Sequence, residues 1–465
     1  MRRLVTGPIA YLAGLLRTVR AAWNRFVFHP ADPTPLGVVR VGVGALATWS
    51  LFVYGLDLHS YLGSSGWSNP ATVRHFADFF NPASWSLWLL VPDSLLRPAW
   101  VGAMVVSILF TLGLWSRATA VLAWVVFVST VRRSPVSVYG FDQIISTWLL
   151  YLAATGASGQ SVSLDRYLAR LKRTRVEVAR RSKTGPWTAP SGVPEPTVSA
   201  NIALRLIECH LVLIYGMAAL AKFQGPAWWT GDAFWRTIAA GEFRLFDLTW
   251  LAAYPRFMEF CTHAALALEL SYPILVWIGP LRPMMMALIV AMHAGIGLTL
   301  GLTEFSLAMV AGNVAFASGP WLRSLVAGRK PGVAMGQVLY DGACPRCRAS
   351  MAFLKAGDPD RLLDPVDLTA VDVATIHPSL TKDACLKSMH LVRSDGRVEV
   401  GYDAIMTILG WTPLFWPASL VRHLPGVSWV GRRVYQAIAD SRPRDFVCND
   451  DTCGLHPAAA ARSAR

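Results

Sequence analysis

Eight apolar stretches recur between residues 36 and 321, and they constrain the fold more than anything else in the chain. They run over Leu36–Tyr54, Trp100–Trp115, Ala118–Val131, Gln143–Ala157, Ile202–Ala221, Phe257–Ile278, Met284–Leu300 and Phe305–Trp321. A helix of about 20 apolar residues crosses the hydrocarbon of a bilayer, because a helix satisfies its own backbone where no water can. Several stretches are shorter than that, which leaves their ends open, and the second and third adjoin so closely that Ser116–Ala118 reads as a tight hairpin. Composition points the same way. The 465 residues are 54% hydrophobic and 15% charged, against about 25% charged in ordinary soluble chains. Disorder and a mostly soluble enzyme are excluded, and a polytopic α-helical membrane domain is expected.

Residues 1–26 place Leu4, Ile9, Leu12, Leu15, Leu16, Val19, Trp23 and Phe26 at helical spacing with arginines on the other side, the pattern of an amphipathic helix lying on a membrane surface. The stretch lacks the short apolar core and small-residue cleavage site of a signal peptide, so the N-terminus is expected to be retained. The net charge of +14 is concentrated here and between the spans. Residues 1–330 hold 28 Lys+Arg and 15 Asp+Glu, whereas residues 331–465 hold 15 and 14. Charge placed in that way suits anionic lipid and the positive-inside rule, and no basic face with interleaved aromatics suggests nucleic acid. Lys and Arg number five in 1–35 and eight in 158–199, against two in 58–97 and three in 223–256. With eight crossings, both termini are expected to be cytoplasmic in a multi-pass cell-membrane protein. Trp67, Trp85, Trp88, Trp228, Trp229, Trp235 and Trp250 then lie in two long external loops, where amphipathic aromatics suit the interface.

The prolines of Thr184–Val198 read as an extended linker. Hydrophobic texture gives way to that of a soluble domain near Lys330–Gly336. The expected division is an interfacial helix over 1–26, a transmembrane domain over 27–330, a linker over 331–336 and a soluble α/β domain over 337–465.

Ionisable residues within spans are functional candidates by default. Here they are Arg40, Arg205, Glu208, His210, His263, Glu269, His293 and, at the outer end of the fifth span, Lys222. Each also has a structural reading: Arg40 can pair with Glu208 or Glu269, and a lone histidine can simply be a satisfied packing residue. Cys209-His210 and Cys261-x-His263 do not present their donors on one helix face, so no metal site is assigned. Lys222 follows Tyr215-Gly-Met-Ala-Ala-Leu-Ala and precedes Phe-Gln-Gly-Pro-Ala-Trp228. Either it snorkels to the headgroups, or it is desolvated and its free amine serves as a general base.

The run Tyr215–Gly231, with His263, Glu269, Met292-His293-Ala-Gly-Ile-Gly and Phe305-Ser306, resembles the membrane domain shared by vitamin K-dependent gamma-carboxylases and the bacterial HTTM proteins. The resemblance extends over roughly residues 25–325 and includes Arg40 and Tyr139-Gly140-Phe-Asp142. It implies that Lys222 is the base that deprotonates a quinone-type cofactor in its hydroquinone form, such as vitamin K hydroquinone. His293, His263 and Glu269 would then bind the quinol-like or lipid substrate in an apolar cavity.

The sharpest motif lies beyond the spans, in Val338-Leu-Tyr340-Asp341-Gly342-Ala-Cys344-Pro345-Arg346-Cys347. A short strand, a glycine turn and a helix from Arg348 place Cys344 at a helix N-terminus, where unpaired N–H groups and the dipole favour thiolate. The spacing reads as redox chemistry or as half of a zinc site, whose other half would be Cys448-x4-Cys453. Asp341 tunes the Cys344 proton or caps the turn, and capping is the reading preferred. Cys344 is expected to attack, helped by Arg346 and Arg348, with Cys347 as the more shielded resolving thiol. Cys385 receives no role. The motif, with His390–Gly396, Gly401–Ala404 and Tyr435–Arg442, resembles the DCC family of thioredoxin-like thiol–disulfide oxidoreductases.

Together these features predict a membrane oxidoreductase with catalytic Lys222, Cys344 and Cys347, a lipid bilayer around it and a quinol or thiol redox partner. In the expected topology Lys222 lies near the outer face and Cys344 inside, so coupling between them needs a mobile quinone or another protein. The rival reading is a nonenzymatic transporter, immunity factor or assembly platform whose DCC domain senses redox state or docks a partner.

Overall fold

The computed structural model describes residues 2–71, 73–75, 86–180, 193–242, 245–327, 334–358, 360–412 and 415–441. Trp85, the proline-rich segment up to residue 192, residues 328–333 of the boundary region, and Cys448 and Cys453 lie outside them. The chain forms two compact units, Met1–Arg166 with Pro194–Gly319, and Tyr167–Val193 with Pro320–Arg465. The second unit thus takes in two stretches, 167–193 and 320–330, that the sequence pattern groups with the spans.

The longer helices of the first unit are α1 (Arg2–Phe28), α2 (Thr34–Leu56), α3 (Asp93–Leu112), α4 (Ser116–Arg133), α5 (Gly140–Thr155), α6 (Leu164–Arg180, which continues into the second unit), α7 (Val198–Lys222), α8 (Pro255–Leu275), α9 (Arg282–Leu300) and α10 (Thr303–Asn313). Four of them, α2, α3, α7 and α9, are long and apolar enough to cross a membrane. Their exteriors are apolar as well: Val101, Val105, Ile108 and Leu112 of α3 are exposed at helical spacing, as are Leu213, Met217 and Leu220 of α7. A soluble protein would cover or replace such stripes. The core is built from the inward faces of the same helices, including Leu36, Val39 and Val43 of α2, Trp148 and Leu152 of α5, Ile207 and Leu211 of α7, and Ile289 of α9. Gly312 on α10 lies in contact with the indole of Trp148, so a Cβ there would displace the largest fully buried side chain.

Three expectations need correction. The stretch Phe305–Trp321 is not one helix: α10 ends at Asn313, a 3-10 turn covers Val314–Phe316, and a separate helix, α11, covers Gly319–Ala327. Asn313 bonds locally to the Met309 carbonyl (3.0 Å) and accepts from Tyr272 Oη (2.6 Å), and Pro320 has no N–H with which to continue a helix. The hairpin between α3 and α4 falls at Gly113–Trp115, slightly earlier than expected, with Gly113 and Trp115 both at positive φ. Asp165 caps it, accepting from the N–H groups of Trp115 (2.8 Å) and Ser116 (2.7 Å) and from the Ser116 hydroxyl (2.5 Å). Arg40 pairs with neither glutamate. Its guanidinium donates to the carbonyls of Ser158 (3.0 Å) and Val162, because the loop after α5 offers buried carbonyls nearer than either carboxylate. Arg133 does the same for the carbonyls of Leu62, Gly63 and Ser68.

The amphipathic α1 keeps Leu12, Leu15, Leu16, Val19 and Trp23 exposed. Its last carbonyls are held by α7: Asn201 Nδ2 donates to Phe26 (2.8 Å) and Val27 (2.9 Å), and Arg205 Nε donates to Phe26 (3.1 Å). A cation and an amide thus satisfy groups that a helix C-terminus leaves open.

The second unit is a four-stranded mixed sheet with helices, consistent with a thioredoxin-like domain. Strands β1 (Gly336–Tyr340), β2 (Leu363–Asp367), β3 (His390–Arg393) and β4 (Val398–Val400) lie in the order β2-β1-β3-β4, parallel between β1 and β2 and antiparallel elsewhere. The parallel pair needs a crossover, which α12 (Pro345–Gly357) supplies. Helices α13 (Gly401–Trp411) and α14 (Val427–Asp440) follow β4. From Tyr167 onward α6 packs on this unit, with Tyr167 and Leu171 against Ala352, Ala356 and Phe415. Arg170 donates to the carbonyls of Lys355 (3.2 Å) and Asp358 (2.8 Å), the favourable position for a cation at the end of α12.

Candidate functional site

The Cys-x-x-Cys sits where β1 hands over to α12, so the local sequence explains most of its geometry. Tyr340 ends the strand, and Asp341 turns the chain by accepting from the Ala343 N–H through its side chain (3.0 Å) and from the Cys344 N–H through its carbonyl (3.2 Å). This is the turn-capping role. Gly342 leaves room for the Asp367 carboxylate, which accepts the Gly342 N–H (3.1 Å) and touches the place a Cβ would occupy. Cys344 then caps α12, Pro345 opens the helix, and the Cys347 N–H donates to Cys344 Sγ at 3.3 Å.

The Cys344 thiol is pushed down to about 6. The Cys347 side chain, by hydrogen-bonding to the Cys344 sulfur, does most of this; the backbone N–H groups of Cys347 and Arg346 add to it, against burial and the charge of Asp341. The two guanidiniums are engaged elsewhere. Arg346 donates to Ser441 through its hydroxyl (2.9 Å) and carbonyl (3.2 Å), and Arg348 donates to the Gly342 carbonyl (2.8 Å). Hydrogen bonds rather than nearby cations therefore hold the thiolate.

Access differs from the expectation. Cys344 is 1% exposed and Cys347 9% exposed, so the resolving thiol is the less shielded of the two. Cys347 also lines a cavity of about 450 Å³ that Cys344 does not reach. The cause is the cap itself, which folds the Cys344 sulfur back over its own helix. Cys385 lines the same cavity, is buried, and has its thiol pushed up by that burial. The sequence assigned it nothing, and only the tertiary fold brings it there.

In the first unit, Lys222 Nζ meets Glu269 Oε2 at 2.6 Å and lies 5.0 Å from the Trp228 ring. Two helical turns back on the same face of α7, Tyr215 Oη and His293 Nε2 are 2.9 Å apart. The Tyr215 ring lies 4.5 Å from that of Tyr272, which reaches Asn313. The structure thus joins Lys222 to Glu269 and places His293 in a neighbouring polar cluster, whose Tyr215, Tyr272 and Asn313 were not among the sequence candidates. His293 Nδ1 and Ser306 Oγ are buried without a hydrogen-bond partner on adjacent α9 and α10. His263 does not join them; it is exposed, with its ring near Gly231. His210 accepts from the Trp148 indole (3.1 Å), and Glu208 pairs with Arg205 (2.6 Å). An apolar groove of about 480 Å³, lined by residues of α2 and α3 such as Trp49 and Ile108, contains none of Lys222, Glu269 or His293. Among the described residues no cluster of three or more His, Cys, Asp or Glu is placed to hold a metal ion.

Comparison with curated proteins and with solved structures gives no match. Residues 338–447, a stretch that opens within β1, ahead of the Cys-x-x-Cys turn, and extends beyond α14, match the family of DCC1-like thiol-disulfide oxidoreductases.

Proposed function

We propose that the protein is a membrane oxidoreductase whose second unit performs thiol–disulfide exchange at Cys344 and Cys347. The observation that carries this is Cys344 at about 6 on the N-terminus of α12, hydrogen-bonded to its partner cysteine. A thiol of that kind is a thiolate at neutral pH, ready to attack a disulfide and, in the reverse direction, a good leaving group. Its stabilisation favours the reduced pair and so makes the oxidised pair an acceptor of electrons. The test is a redox titration of the full-length protein in nanodiscs, with Cys344–Cys347 linkage followed by peptide mass. Reversible, two-electron formation of that one disulfide is expected; a pair that stays as two free thiols through oxidising buffers would sink the reading.

A second chemistry is favoured in the first unit by the unpartnered His293 Nδ1 and Ser306 Oγ. Buried polar atoms are rarely left so, and an oxygen of a quinol-like or lipid substrate would complete either of them. A hydroquinone there would supply two electrons and two protons. Lys222 would act as base only once its contact with Glu269 opens, since in this arrangement the amine is engaged by the carboxylate. Incubating the protein with reduced vitamin K or menaquinol and oxygen, and assaying for the epoxide, tests this half separately.

A further inference from the structure

The site separates its thiolate from its entrance. Cys344 holds the charge and is 1% exposed, whereas Cys347 faces the cavity. Two buried sulfurs do not suit a partner protein's cysteines, whose backbone must come within a few ångströms of the attacked sulfur. A cavity of about 450 Å³ falls in the range of small-ligand sites, about 300–1,000 Å³. Its wall near Cys347 is apolar, from Met351 and Leu354 of α12 and Ile405 and Leu409 of α13. Two cations, Arg175 and Arg346, also line it, and both residues are solvent-exposed. The one carboxylate in the wall, Asp341, is turned onto the Ala343 N–H.

We propose that this cavity binds a small amphipathic dithiol, an apolar body ending in a carboxylate, and that the oxidised Cys344–Cys347 pair accepts its electrons. The proposal rests on the thiol–disulfide reading above and names its substrate class. The apolar body lies on Met351, Leu354, Ile405 and Leu409, and the carboxylate meets Arg175 and the Arg346 guanidinium, of which Nη1 also donates to Ser441. One ligand thiolate attacks Cys347 Sγ, the sulfur that faces the cavity. The Cys344–Cys347 bond breaks, and Cys344 departs as the thiolate that its hydrogen bonds stabilise. The second ligand thiol then attacks the ligand's own sulfur in the mixed disulfide. The ligand closes to a cyclic disulfide, Cys347 leaves and takes up one proton, and the other goes to water. Two electrons pass from ligand to protein. The division of labour follows from position: the accessible sulfur is attacked, and the buried one leaves.

The test uses oxidised full-length protein in nanodiscs, with dihydrolipoate as the probe and dihydrolipoamide, dithiothreitol and glutathione as comparisons. Each rate of reduction is divided by the rate of the same thiol with a free peptide disulfide, which removes intrinsic reactivity. Dihydrolipoate is expected to exceed dithiothreitol and glutathione at least tenfold after this correction. Leu409→Trp, which fills the cavity, should lower the dihydrolipoate rate at least tenfold. Arg175→Glu, a surface change outside the core, should lower the dihydrolipoate to dihydrolipoamide ratio at least threefold. Equal corrected rates for all thiols, or an unchanged ratio in Arg175→Glu, would overturn the dithiol assignment while leaving thiol–disulfide exchange standing. If no thiol reduces the pair, the exchange reading itself fails.

Discussion

At the scale of single residues, the decisive interaction is between two cysteines three positions apart. Because the Cys347 side chain does most to hold Cys344 at about 6, Cys347→Ala should raise the Cys344 pKa and slow its alkylation at pH 7 by about tenfold or more. Cys347→Ser keeps a donor and should raise it less. Iodoacetamide labelling across a pH series with peptide mapping reads both, and an unmoved midpoint in Cys347→Ala would show that the helix N-terminus acts alone. The sign of the pH dependence follows from the same shift. The folded value, about 6, lies below the ordinary 9.0, so the reduced form gains stability as pH rises from about 6 to 9 and loses it as pH falls through 6. In the first unit Lys222→Arg should abolish any quinol-dependent turnover, because arginine keeps its proton at every relevant pH. Full activity in that variant, with expression intact, would reduce Lys222 to the partner of Glu269.

At the scale of elements, what could be read from sequence was what is held by neighbours in sequence. The Cys-x-x-Cys turn is local, each bond within Asp341–Cys347 spanning a few residues, and its strand-to-helix setting was legible. The cavity beside it was not, since its walls come from α6, α12, α13 and α14. The partners of the buried arginines were hidden for the same reason: Arg40 donates through its two Nη atoms to carbonyls 118 and 122 residues away, and no carboxylate pattern announces a carbonyl. The α3–α4 hairpin was placed slightly late because Leu114 and Trp115 read as apolar span, while the group that fixes the turn, Asp165, is about 50 residues distant. That carboxylate accepts three donors at once, so Asp165→Ala should destabilise the first unit by about 1–2 kcal/mol. A lowered melting midpoint in detergent would register it, and a midpoint equal to the native one would mean the two positive-φ residues hold the turn unaided.

At the scale of the whole molecule, helix length, packing and charge bear on how many helices would cross a membrane. Four helices have the length and hydropathy to cross by themselves. The other four expected spans correspond to α4 with 18 residues, α5 with 16, α8 with 21 and α10 with 11, each shorter or more polar. Short helices cross only where packing against longer ones lets the bilayer thin or the helix tilt. The buried contacts of α5 and α10 with α2 and α7 are of that kind, and Trp148 of α5 packed on Gly312 of α10 ties the two short helices to each other. Charge orients the flanks. Five and eight basic residues flank one set of loops and two and three the other, and moving the basic set outward opposes the positive-inside bias. Most of the basic 158–199 stretch, Tyr167–Val193, also belongs to the same unit as Pro320–Arg465, so an even number of crossings, with both termini cytoplasmic, is predicted. Reporter enzymes fused after Arg465 test it: a cytoplasmic reporter should be active and alkaline phosphatase silent. Phosphatase activity at that position would require an odd number of crossings, and with it one of the short helices lying in the interface instead of crossing.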